Sequence, residues 1–180
     1  MWLPAYTLRP QDFQGIVSAY CGAFMPDGDV ALFYNHATNN QFTVVVARRG
    51  GKISLDDGRL QTLLARPALQ AGLAAIGRER PEALFADYIA GGEKLCGWAQ
   101  AAPPQTDDRL QSEYLSGVWS QPRDSAWWAS FDQFTALREA QPPAIANAPP
   151  EFAAAMNREW TASGHILRGQ RLAGEGGLAL

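Results

Sequence analysis

The chain predicts an α+β fold: a small antiparallel sheet of three or four strands, preceded by one helix and packed against a mainly helical C-terminal half. Three observations lead there. Residues 30–55 read VALFYN, HATNN, QFTVVVA, RRGG, KISL, which is three apolar runs divided by short turn-like breaks. Gly50-Gly51 suits a two-residue hairpin turn between the last two runs. After residue 55 the apolar spacing is helical.

A first helix is expected over residues 10–24. Phe13, Ile16, Val17 and Tyr20 stand at i, i+3, i+4 and i+7, Pro10 suits the first turn, and Asp12 suits the positive end of the dipole. Gly15 and Gly22 weaken that pattern, and Met25-Pro26-Asp27-Gly28 forms a turn. Strands follow from Asp29 to Asn35 and from Gln41 to Ala47. Both are apolar on their two faces, as strands covered on both sides or facing a partner would be. The polar loop His36 to Asn40 is rich in Asn, which tolerates positive φ. Lys52 to Leu55 alternates polar and apolar and is expected as a third, edge strand.

Helices are expected from there on. Asp56 or Asp57 caps a helix bearing Leu60, Leu63 and Leu64, and Pro67 interrupts it. A second carries Leu69, Leu73 and Ile76 and ends near Gly77. Pro81 opens a third, with Leu84, Phe85, Tyr88 and Ile89 on one face and Gly91-Gly92 closing it. Lys94 to Ala101 reads equally as a returning strand or a further helical turn. Ala101 to Asp108 (AAPPQTDD) reads as a linker, so residues 1–102 form a sheet-containing core and residues 103–180 a helical extension packed on it within one domain. The extension has helical spacing over Leu110 to Val118, Ser125 to Ala140 and Pro150 to Ser163, with a semi-rigid QPPAIANAPP link and a flexible tail from about residue 169.

Composition narrows the function classes. Hydrophobic residues make up 47% of the chain and charged residues 18%, enough for a packed core and too few charges for disorder. A net charge of −3 offers no footprint for nucleic acid. No run approaches the roughly 18 apolar residues that span a bilayer. The first residues lack the basic leader and apolar stretch of a secretory signal. Cys21 and Cys96 sit in apolar surroundings and are expected as buried thiols, with a disulfide as the alternative. A reducing cytoplasm is therefore the expected location.

No metal-ligand spacing, nucleophile elbow, phosphate loop or dinucleotide fingerprint is present, so no metal or cofactor is expected and catalysis is disfavoured. The leading expectation is a non-catalytic protein-binding module such as a toxin-neutralising immunity protein or a secretion chaperone. In that reading Trp119 and Trp128 serve as anchors, while Asp107, Asp108 and Glu113 meet basic groups of a protein partner. Trp127, Phe131 and Phe134 are expected in the core, and a homodimer is compatible with the pattern. The alternative is a small-molecule-binding protein or enzyme with a pocket between the sheet and the C-terminal helices. Asp29, Tyr34 and His36 would line that pocket, His36 being able to act as a general base.

Overall fold

The structure, a computed structural model, describes residues 1–4, 8–36, 42–75, 77–106 and 123–175. It is an α+β protein. Two compact units are each assembled from two chain segments: residues 1–53 with 89–138, and residues 54–88 with 139–180. The chain passes between the units at 53/54, 88/89 and 138/139, none of them in the AAPPQTDD segment.

The first unit is organised by a four-stranded sheet in the order β1-β3-β2-β5, made of Trp2–Pro4 (β1), Asp29–Tyr34 (β2), Phe42–Arg48 (β3) and Tyr88–Gly91 (β5). β2 and β3 form the expected antiparallel hairpin, with Leu32 opposite Val45 and Tyr34 opposite Thr43. Gly50 and Gly51 leave β3 at φ 71° and 105°, values that side chains other than glycine rarely take. One sheet face is closed: Leu3, Val30, Leu32, Tyr34, Thr43 and Val45 all lie buried. Helix α1 (Pro10–Phe24) packs on β2 and β3, with Phe13 and Val17 buried. The ring of Tyr34 lies 5.2 Å from Phe134 and 5.7 Å from Trp127, both on the helix Arg123–Ala136 (α6). Edge-to-face and tilted contacts of this kind add roughly 0.5–1.5 kcal/mol beyond area burial. The expected core role of Trp127, Phe131 and Phe134 is what the structure shows.

Two sheet assignments need correction. Lys52 to Ser54 form no strand, and Leu55–Asp56 (β4) pairs in parallel with Ile145–Ala146 (β6) in the second unit. The open edge of β3 is taken instead by β1, where the Met1 ammonium donates to the Val45 carbonyl and the Val45 N–H to the Met1 carbonyl. The Ile53 N–H, which a strand would donate to a neighbouring backbone, goes to the Asp29 carboxylate at 3.0 Å. The second correction concerns Tyr88 and Ile89, which belong to β5 and not to the helix opened by Pro81. That helix (α4) spans only Pro81–Phe85. The ambiguous segment that follows is helix α5, Gly92–Ala99.

The second unit holds α2 (Asp57–Leu64), α3 (Pro67–Ala75), α4, the β4–β6 pair and α7 (Pro150–Glu175). Phe152, Met156 and Trp160 on α7 pack with Phe85 and Ala86, flanked by Leu55, Leu60 and Tyr88. Helix α7 continues through residue 175, past the point where a flexible tail was expected, because Leu167 remains buried and extends the apolar stripe. Arg78 and Asp87 form a buried two-point ion pair, with Nε to Oδ2 at 3.2 Å and Nη2 to Oδ1 at 2.8 Å.

Asp56 caps α2, its carboxylate accepting from the Arg59 N–H at 3.0 Å and from the Asn147 side-chain amide at 2.7 Å. These bonds, the Arg59 N–H first, hold its carboxyl below the ordinary aspartate value. The unfolded chain therefore takes up the proton at higher pH than the folded one. The cap's contribution is complete above the ordinary value and is lost as pH falls through the lowered one. Asp56→Ala is expected to destabilise at neutral pH, and urea melts of the two proteins should converge on acidification. A gap independent of pH would contradict the assignment.

Candidate functional site

Of the residues singled out from sequence, Asp29, Tyr34 and His36 do not converge. Asp29 and Tyr34 stand at the two ends of a six-residue strand, about 17 Å apart at ~3.3 Å per residue, and on opposite faces. Both Asp29 oxygens are engaged by backbone, Oδ1 by the Val30 N–H and Oδ2 by the Ile53 N–H, each at 3.0 Å. Tyr34 belongs to the aromatic core, and His36 is buried. Trp128 is half-buried, its ring edge-on to Phe131 at 5.3 Å and 6.1 Å from Trp127. Trp119, Asp107, Asp108 and Glu113 lie outside the described residues.

The expectation of free thiols is overturned. Cys21 on α1 and Cys96 on α5 form a disulfide, with Cα atoms 5.7 Å apart. The apolar setting that suggested buried thiols is real, since both residues are buried, but their helices bring them face to face. The bond forms part of the wall of an open cleft of about 1000 Å³ in the first unit.

Two helical stripes build that cleft. Ser18, Cys21, Gly22 and Met25 follow one another at i, i+3, i+4 and i+7 along α1 and the residue after it. On α5, Glu93, Cys96, Gly97 and the capping residue Gln100 repeat the same spacing. At 3.6 residues per turn each set shares one helix face, with a Cys-Gly pair at its centre. The third wall is the loop with Pro104, Gln105 and Thr106. It is tied to α1 by a 3.0 Å bond from the Gln105 N–H to the Gly15 carbonyl. Gly15 permits this approach, because a Cβ there would stand 2.8 Å from the Pro103 carbonyl oxygen.

Gly22 and Gly97 are different. A Cβ at either would meet nothing within 4 Å among the described residues, and both residues are exposed. Helix propensity therefore argues against glycine at both positions, by about 1 kcal/mol relative to alanine. Packing among the described residues gives no reason for them, and both line the cleft. We expect Gly22→Ala and Gly97→Ala each to stabilise by about 0.5–1 kcal/mol in urea denaturation. A loss of stability would place hidden packing at those positions.

Glu93 is the one acidic side chain among the described lining residues, and none of them is Lys or Arg. Among the described residues, no group of three or more His, Cys, Asp or Glu side chains is placed to hold a metal ion, and no helix is long and apolar enough to cross a membrane.

The sequence carried a signal for this site in the matched Cys-Gly pairs, each inside the same apolar-polar spacing. Reading Gly22 only as a helix weakener, and leaving the segment of Gly97 open between strand and helix, hid it. No protein-family model matches the chain, and no curated protein or solved structure shows significant similarity to it.

Proposed function

We propose that this chain is a non-catalytic protein-binding module, of the kind that neutralises a toxin or escorts a secreted partner, and that it reads its partner through the α1–α5 cleft. One observation supports this above the others: two exposed glycines, Gly22 and Gly97, face a disulfide-braced groove and put no side chain of their own into it. The cleft is more open than enclosed, which suits a polypeptide better than an enclosed metabolite. Trp128, half-buried on α6, is a further anchor in this reading.

The disulfide also bears on location. Such bonds persist in oxidising compartments and are rare where glutathione keeps thiols reduced. An oxidising compartment therefore fits the chain better than the cytoplasm expected from composition. The acidic balance of the chain suits a basic partner.

The test uses the oxidised protein with Gly97→Trp and Gly22→Phe as groove-filling variants. All three are immobilised at equal density in extract from the source organism. The reading predicts one dominant protein captured by the wild type and lost with both variants. Capture unchanged by either substitution contradicts it. A small-molecule reading draws on the cleft volume, which stands at the upper end of the roughly 300–1,000 Å³ typical of ligand sites. A thermal-shift screen with metabolites separates the two, since a ligand stabilises by RT ln(1 + [L]/Kd).

A further inference from the structure

The geometry points to an extended peptide segment carrying a lysine or arginine as the occupant of the α1–α5 groove, an inference that rests on reading that groove as the recognition surface. Three properties of the lining lead to it. The first is hydrogen bonding. Ser18, Gln100 and Thr106 line the groove, and their side chains make no hydrogen bond to other described residues. Together they offer hydroxyl and amide groups that both donate and accept. A docked helix has already satisfied its own backbone and has little use for such groups. An extended segment carries N–H and C=O groups along both edges and needs them.

Shape is the second property. Gly22 and Gly97 put no side chain of their own into the groove, so a main chain can lie close against the helices there. Met25, Pro26 and Pro104 supply apolar surface. An extended segment turns alternate side chains to one side, so every second residue would meet this surface.

The third property is charge. Glu93 has no ion-pair partner among the described residues, and none of the described lining residues is a cation. A partner ammonium or guanidinium is the complement, and the chain's net charge of −3 steers in the same direction. Length can be set as well. Glu93 and Gln100 are seven residues apart on α5, about 10 Å at ~1.5 Å per residue, which an extended segment covers in about three residues. The basic residue therefore sits about three positions from the backbone group gripped by Gln100.

Selection of phage-displayed linear dodecapeptides on the oxidised chain tests this directly. Eluted peptides should share a Lys or Arg. For the best of them, fluorescence polarisation should show at least fivefold weaker binding to Glu93→Gln. A similar loss is expected when the peptide's basic residue becomes norleucine. Because both changes break one contact, the combined loss should equal either alone. Losses that multiply, or eluted peptides without a basic preference, overturn the basic occupant while leaving the groove reading intact. Binding that survives both Gly97→Trp and Gly22→Phe removes the groove reading itself. Failure to enrich any peptide overturns the extended segment as occupant. Circular dichroism of each variant confirms that it is folded.

Discussion

Replacing Cys21 and Cys96 together with alanine lowers stability by about 4.5 kcal/mol. That figure is the loop-closure entropy of a cross-link between residues 75 apart in sequence. Chain entropy dominates here because the bond ties two helices that are distant in sequence, α1 and α5, while most of their other contacts are short-range packing. Phe13 against Trp98 at 5.9 Å and the Gln14 side-chain amide to the Trp98 carbonyl at 3.4 Å hold the same pair of helices far more weakly. Urea denaturation of the oxidised and double-alanine proteins measures the loss. The slope of free energy against denaturant should also rise, since the unlinked chain exposes more surface when unfolded. A loss under 1 kcal/mol would show that the bond contributes little to the fold and would remove the brace from the cleft.

Asp87→Ala destabilises the second unit by about 3–5 kcal/mol, because it leaves the Arg78 guanidinium buried without its two-point partner. Side-chain exposure of 6% at both residues puts this pair beyond the solvent screening that weakens surface ion pairs. Removing both charges is a different matter. Arg78→Met with Asp87→Leu exchanges a costly desolvated pair for apolar packing, and it should lie within about 1–2 kcal/mol of the wild type. Thermal and urea melts of the single and double variants measure the contrast. A single variant as stable as the double would mean that water reaches the guanidinium and that burial does not set its cost.

Local chemistry was legible in the sequence, and long-range pairing was not. Helix α1 has the expected bounds of Pro10 and Phe24 because its stripe, its proline and the turn that stops it are all neighbours in the chain. The β2–β3 hairpin is set in the same way by its apolar runs. Lys52 to Leu55 has the period of a strand, yet its place beside β3 is occupied by the first residues of the chain, whose pairing across more than 40 positions leaves no local trace. Tyr88 and Ile89 continue a helical stripe on paper, but the helix stops at Phe85 and they enter the sheet.

The candidate site divides along the same line. Strand parity alone places Asp29 and Tyr34 on opposite faces, so their separation could have been read from the sequence. The Cys21–Cys96 bond could not, since two cysteines say nothing of their distance once folded. The spacing of Ser18, Cys21, Gly22 and Met25 matches that of Glu93, Cys96, Gly97 and Gln100, and this match was open to view. Its meaning emerges only when the two helices face each other.

The most direct test of a recognising groove is site-specific photocrosslinking in the source organism. Benzoylphenylalanine is placed at Pro26, an exposed residue of the groove lining, or, as a control, at Gln70, which is exposed on α3. The account predicts a discrete protein adduct from position 26 on irradiation and none from position 70. An adduct from position 70 alone, or the same adduct from both, would show that the partner is met elsewhere on the molecule.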